Sequence, residues 1–161
     1  MSFTSKLRTE LVEDEAGRPA LRKKSGATQH RLLEPVRYDV GHLGSGDTII
    51  VPPGFITDFT SIPRPLWRIE PPTGPSMKAA VVHDWLYASM HRPRAEADAI
   101  FSEALAVLGV PAAKRAMLYG GVRIGGAGGY GLPDEHEQAM KALAVWEAAG
   151  RPDSIQGRPC R

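Results

Sequence analysis

Cysteine is nearly absent from this sequence, which contains only Cys160, close to its end. A single cysteine cannot form an intrachain disulfide or a metal site built from several thiolates. Long apolar runs are absent too, since no segment reaches the roughly 20 apolar residues of a membrane-spanning helix. The stretch after Met1 also lacks an apolar core of signal-peptide length. We therefore expect neither a signal peptide nor a transmembrane segment.

A charge excess of either sign is missing as well. The 20 Lys and Arg residues nearly balance the 18 Asp and Glu residues, and the net charge is +2. Basic residues are scattered except for residues 22–24, which we interpret as a solvated turn, so we expect no nucleic-acid partner. The 161 residues, 42% of them hydrophobic, suit a globular protein with a moderate core.

Short strands and turns are predicted for the first third of the chain. The β-branched run Thr48–Val51, closed by two prolines and a glycine, predicts a strand. Residues 31–38 are its plausible partner, and Pro35 within them favours a sheet edge. Residues 3–12 and 20–23 are two further candidate strands, with a turn at residues 17–19 between them.

The pattern becomes helical from residue 76 onward. Helices are predicted over residues 76–90, 93–108, 111–124 and 134–149. Ser76 is a good N-cap residue for the first helix, and Gly109 is typical of the position just past the end of the second. The preceding residues, 57–75, form a proline-rich connector that we expect to be irregular but stiff.

These predictions give an α+β fold class. A small N-terminal antiparallel β part is followed by an antiparallel helix pair and further C-terminal helices. We expect a single α+β domain over residues 1–124, a flexible glycine-rich linker over 125–133, and a C-terminal helix and tail over 134–161.

A cluster of ionisable residues interrupts the apolar pattern of the first two helices. His83 and Tyr87 are four residues apart and share one helix face, whereas Asp84 is rotated from that face by about 100°. If the two helices pack antiparallel, Asp98 of the second helix comes opposite His83 or Tyr87. The carboxylate would then fix the imidazole tautomer and leave the other ring nitrogen as a base.

A second candidate site lies around Asp58. This carboxylate sits among hydroxyl side chains and backbone carbonyls in residues 54–63. Such hard oxygen ligands suit Ca²⁺ rather than Zn²⁺. With Asp84 added, the set predicts an incomplete all-oxygen site that water or substrate would complete.

Three linked motifs resemble an uncharacterised family of small bacterial and phage proteins. The motifs are TDFTSIPR at residues 57–64, HDWLY at residues 83–87 and AEADAIF at residues 95–101, and the resemblance runs over residues 2–130. Members are commonly encoded in prophage tail and lysis modules. The resemblance implies a phage or prophage origin, a location in the virion or host cytoplasm, and other tail or virion proteins as partners. It supplies no established activity.

The same residues resemble the active-site helices of secreted phospholipase A2 enzymes, over residues 58–101. That superfamily uses a His-Asp-x-x-Tyr helix and an aspartate from a second helix. The resemblance implies that His83 is the general base and that Asp98, helped by Tyr87, orients it. It also implies that Asp84 ligates Ca²⁺ near Asp58, and that a membrane lipid ester is the substrate. The chain departs from the superfamily in having no disulfide and no glycine in residues 58–63.

Structural interpretations remain open beside the catalytic ones. His83 and Asp98 can be a buried polar pair that fixes helix register. Asp84 can pair with an arginine such as Arg92 or Arg94, and Asp58 can be a turn residue. Two hypotheses for function follow: a phospholipase A2-type ester hydrolase, or a non-enzymatic component of a phage tail tip or baseplate with a mostly buried His83. Trp67 and Trp85 are expected to be core or interface anchors.

Overall fold

A computed structural model describes residues 2–22, 26–59, 74 and 76–152. Within these residues, five short strands are followed by four helices. The strands are β1 (Thr9–Leu11), β2 (His30–Leu32), β3 (Val36–Asp39), β4 (Thr48–Val51) and β5 (Ile56–Thr57). The helices are α1 (Met77–Ser89), α2 (Arg94–Val107), α3 (Ala112–Gly125) and α4 (Pro133–Ala148). The predicted α+β class is confirmed.

The strands form two small antiparallel sheets. β1, β2 and β5 make one sheet in the order β1-β2-β5, and β3 and β4 make the other. The predicted strand at Thr48–Val51 is confirmed. The prediction of a single strand over residues 31–38 is wrong, because these residues are divided between β2 and β3. The chain bends at Leu33 and Glu34, just before Pro35, and β2 and β3 belong to different sheets. Proline interrupts the strand because it cannot donate to a strand ladder.

The β3–β4 hairpin presents one apolar face to the helices. Val36 lies opposite Val51, and Tyr38 lies opposite Ile49. All four side chains are buried, and both strands contact α1. Alternation along each strand directs these side chains to one face, which is the face that packs on α1.

α1 is the central helix of the molecule. Ten of its thirteen residues are buried, and it contacts α2, α4, β3 and β4. A helix that is apolar around its whole circumference must be surrounded by other elements. Its predicted start is confirmed to within one residue, although Ser76 makes no capping hydrogen bond through its side chain.

α2 returns along α1 in the opposite direction. Met90 ends α1 in a left-handed conformation with φ 56°, and α2 begins at Arg94 four residues later. The helix stops at Val107, and Gly109 follows with φ 81°, as its glycine predicted. The tight connection brings the first turns of α2 beside the last turns of α1, which places the candidate site.

The glycine-rich residues between α3 and α4, expected to be a flexible linker, have a defined structure. Gly126–Gly128 form a 3-10 turn, and the residues after it pack against the C-terminal half of α1. α4 then lies on α1 and buries Ala139, Ala142 and Trp146. None of the helices in the described part of the chain is long and apolar enough to cross a membrane.

Candidate functional site

The buried carboxylate of Asp98 is the centre of the site. Asp98 lies in the second turn of α2 and its side chain is fully buried. Nε2 of His83 lies 2.9 Å from Oδ1 of Asp98, and the Tyr87 hydroxyl donates to the same oxygen at 2.6 Å. The structure therefore places Asp98 against both residues that the helical spacing brought to one face of α1.

An arginine that the sequence analysis missed completes this network. Nη1 of Arg123 donates to the other carboxylate oxygen, Oδ2 of Asp98, at 2.9 Å. Arg123 is in the last turn of α3, and its backbone carbonyl accepts hydrogen bonds from the guanidinium of Arg94. No pattern within the sequence links residue 123 to residue 98, because the contact depends on how α3 packs on α2.

The network holds Asp98 in its ionised form. Burial alone would raise the pKa of the Asp98 carboxyl, but the three hydrogen bonds to it outweigh burial and lower its pKa to about 2. Burial and the hydrogen bond to this carboxylate together raise the pKa of the Tyr87 hydroxyl, so that the phenol stays protonated and donates. At neutral pH the site thus contains a carboxylate, a phenol and a guanidinium.

The ionised carboxylate fixes the tautomer of His83. Because Asp98 can only accept, Nε2 of His83 must carry the shared proton, and a neutral imidazole then has its lone pair on Nδ1. None of the described residues forms a hydrogen bond with that nitrogen. The rings of Tyr87 and Phe101 pack on the imidazole, with centroids 4.1 and 4.9 Å away, so the ring is held in one orientation.

Asp84 is directed away from this network, as its position on the helix predicted. The hydroxyl of Thr57, at the end of β5, donates to Oδ2 of Asp84 at 2.5 Å. The same hydroxyl accepts a hydrogen bond from the backbone N–H of Phe59 at 3.1 Å. Asp84 therefore ties α1 to the start of the loop that contains Asp58.

Asp58 forms an ion pair with an arginine of the same chain. Its side chain is fully buried, and Nη1 of Arg22 lies 3.2 Å from its Oδ1. Nη2 of the same arginine lies 3.6 Å from Glu135 in the first turn of α4. The guanidinium thus bridges the N-terminal β part and the C-terminal helix.

The two carboxylates do not fit a joint Ca²⁺ site in this arrangement. A calcium ion on Asp58 would face the guanidinium of Arg22, and like charges repel strongly in a buried site. Within the described ranges, no group of three or more His, Cys, Asp or Glu side chains is placed to hold a metal ion. The calcium role of Asp84 and Asp58 stays a prediction.

The remaining candidates have structural surroundings or fall outside the described residues. Trp85 is confirmed as a core residue, with its ring edge-on to Phe55 at 5.4 Å. His136 donates from Nδ1 to the carbonyl of Ala88 and so secures α4 to the end of α1. Some predictions fall on residues that the structure does not describe. They concern Trp67, most of the proline-rich connector, the basic residues 23–24, and the tail from residue 153.

Comparisons with known proteins give a family without an assigned function. No curated protein and no solved structure gives a significant match to the chain. Residues 30–122 match the family described as "Protein of unknown function (DUF1353)". The matched region runs from β2 into α3 and includes all five residues that the sequence analysis proposed for the site. Because it covers more than half of the sequence, the chain belongs to the DUF1353 family.

Proposed function

We propose that this protein is an ester hydrolase in which His83 is the general base and Asp98 and Tyr87 orient it. The observation that carries the proposal is the Nε2–H···Oδ1 hydrogen bond of 2.9 Å between His83 and a carboxylate that stays ionised. This bond leaves the lone pair on Nδ1, the nitrogen that a general base would use to accept a proton.

The proposed chemistry is addition of water to an ester carbonyl. Nδ1 of His83 removes a proton from a water molecule while the water oxygen forms a bond to the carbonyl carbon. The resulting tetrahedral intermediate expels the alkoxide, which takes the proton back from His83, so that a carboxylic acid and an alcohol are released. Asp98 stabilises the transient imidazolium and does not itself become protonated. A base of this kind contributes roughly 10² to 10⁴-fold in rate.

The proposed substrate is a membrane lipid ester, which follows from the resemblance to the phospholipase A2 helices. The same resemblance implies a dependence on Ca²⁺, which the pairing of Asp58 with Arg22 does not favour. The phage tail or lysis setting belongs to the same proposal and depends on the three linked motifs.

The test is release of fatty acid from phospholipid vesicles by the purified protein, with Ca²⁺ and with a chelator. We expect hydrolysis by the wild-type protein and a loss of at least about 100-fold in His83→Gln. His42→Gln is the matched control, since His42 is exposed in the β3–β4 turn, and it should retain full activity. Absence of hydrolysis by folded wild-type protein under both conditions would sink the proposal.

Burial of the same residues favours a second candidate, a non-enzymatic component of a phage tail tip or baseplate. His83 is 2% exposed, and Asp98 already accepts three hydrogen bonds from side chains of the chain itself. A buried polar network whose hydrogen bonds are all made within the chain can have a purely structural role, which here would be to fix the register of α1 and α2.

The two candidates predict different results in phage particles and in variants. A structural component should be present in purified virions at a fixed copy number, and His83→Gln should lower thermal stability without affecting any catalytic rate. Recovery of the protein only as a soluble monomer, absent from virions, would contradict the structural candidate.

A further inference from the structure

The glycine-rich residues 125–131, called here the glycine segment, lie directly against the phenol of Tyr87. A Cβ atom placed on Gly126 would lie 2.6 Å from the Tyr87 hydroxyl oxygen and 3.3 Å from two ring carbons. The backbone of Gly126 is ordinary helical, with φ −79° and ψ −11°. Glycine is therefore needed at this position for space, and not for conformational freedom.

The rest of the glycine segment is held on Tyr87 by a backbone hydrogen bond and by one ring contact. The backbone N–H of Gly131 donates to the Tyr87 carbonyl at 3.0 Å. The ring of Tyr130 packs edge-on against that of Tyr87, with centroids 5.4 Å apart, and the Tyr130 hydroxyl donates to the carbonyl of Arg92. The Tyr87 phenol therefore lies between Gly126, the Tyr130 ring and the Asp98 carboxylate.

The Tyr87 hydroxyl donates to Oδ1 of Asp98, the same oxygen that orients His83. We propose that Gly126 is a positioning residue of the site: the space above its Cα lets the Tyr87 hydroxyl reach Asp98 and thereby sets the carboxylate that orients His83. The geometric part of this inference stands alone, whereas its consequence for catalysis rests on the proposed function.

The test compares Gly126→Ala with Tyr87→Phe, with the double variant, and with the control Gly120→Ala. A Cβ on Gly120, in the middle of α3, would meet no atom within 4 Å apart from its chain neighbours and the backbone of its own helix, so the control adds the same methyl group without a clash. The readout is the acid titration of the Asp98 carboxyl carbon by NMR. This signal reports the hydrogen bonds to the carboxylate and is independent of any enzymatic activity.

We expect Gly126→Ala and Tyr87→Phe to raise the Asp98 titration midpoint by a similar amount, because each removes the same donor. The double variant should match Tyr87→Phe alone, since the methyl group then has no hydroxyl to displace. Gly120→Ala should titrate like the wild type. A wild-type midpoint in folded Gly126→Ala, or two additive shifts in the double variant, would overturn the proposal.

Failure of Gly126→Ala to fold is also decisive. The clashing oxygen is absent from the double variant, so that protein should recover cooperative thermal unfolding. If the double variant remains unfolded while Tyr87→Phe folds, the clash is not with the hydroxyl and the inference is wrong.

Hydrolysis assays of the same variants separate this inference from the proposed function. If both hold, Gly126→Ala lowers kcat for the lipid ester with little change in KM, and Gly120→Ala changes neither. If the wild-type protein hydrolyses no ester, the proposed function fails, while the NMR titration still decides the positioning role.

Discussion

The carboxylate of Asp98 is the one acceptor that the His83, Tyr87 and Arg123 side chains share. It is fully buried, and its two oxygens accept hydrogen bonds from a histidine, a phenol and a guanidinium. An ionised group in such surroundings is stable only while its partners remain in place. Either function proposed for the site therefore requires this residue, and its removal should affect stability as well as activity.

Asp98→Asn should lower the free energy of unfolding by about 3 kcal/mol at neutral pH. The amide group of asparagine would direct a donor at one of the donors that Asp98 now satisfies, and buried unpaired donors are costly. Asp47→Asn is the control, because the Asp47–Arg92 pair is partly exposed and should contribute less than about 1 kcal/mol. Urea denaturation followed by fluorescence measures both, and equal losses in the two variants would contradict the expectation.

At the scale of single elements, α3 is anchored by very few residues. Of its fourteen residues only Leu118 and Val122 are buried, and Ile124 is 86% exposed. Yet α3 carries Arg123 to Asp98 and is followed directly by Gly126, which lies against Tyr87. A small apolar contact thus determines whether two parts of the site come together.

Leu118→Ala should therefore cost about 3 kcal/mol of stability, in the range typical of a fully buried leucine. Met117→Ala, at the neighbouring and 45% exposed position, should change stability by less than about 0.5 kcal/mol. Thermal or chemical denaturation of the two variants measures the difference. Similar values for both would mean that α3 does not depend on its buried side.

The sequence predicted the helices better than the strands and their pairing: the strand predicted over residues 3–12 is only Thr9–Leu11, and the described part of residues 20–23 contains only an isolated bridge at Leu21. The helix boundaries were correct to within about two residues because caps, prolines and glycines act locally. The split of residues 31–38 between two sheets was missed, since which strands pair depends on residues distant along the chain. The defined structure of the glycine segment was missed for a similar reason. A run of glycines is flexible by itself, but here it packs against the Tyr87 phenol, which leaves no space for a side chain at Gly126.

At the scale of the whole molecule, polar contacts tie the β part to the C-terminal helix α4 and to α2. Arg22 bridges Asp58 and Glu135, and Gln138 of α4 donates to the carbonyl of Gly54. Tyr38 of β3 donates to Glu103 of α2 at 2.5 Å, and burial together with this contact raises the pKa of the phenol. Cooperative unfolding of the described residues is the expected consequence.

The stability of the whole molecule should depend on pH through Asp98. Its folded pKa of about 2 lies below the ordinary value of 3.8, so its contribution is fully present above pH about 4 and is lost as the pH falls toward 2. The lost contribution is up to about 2 kcal/mol, at 1.36 kcal/mol for each pKa unit.

Comparison with Asp98→Asn isolates this contribution from other acids. Asp14 and Asp39 also have lowered pKa values, through backbone hydrogen bonds from Arg18 and Gly44, but both remain in the variant. The stability difference between wild type and Asp98→Asn should therefore shrink between pH 5 and pH 2. A difference that stays constant over this range would show that the Asp98 carboxyl is not stabilised in its ionised form.

The sequence by itself determined the fold class, the helix boundaries, and the placement of His83, Tyr87 and Asp98 on facing sides of a helix pair. These follow from helical periodicity and a short connection, which involve only neighbouring residues. Only the tertiary structure decided that Arg123 binds the Asp98 carboxylate and that Gly126 lies against the Tyr87 phenol. It also decided that Arg22 forms an ion pair with Asp58. Each of these contacts joins residues 25 or more apart in sequence, so it depends on how whole elements pack and has no local signature.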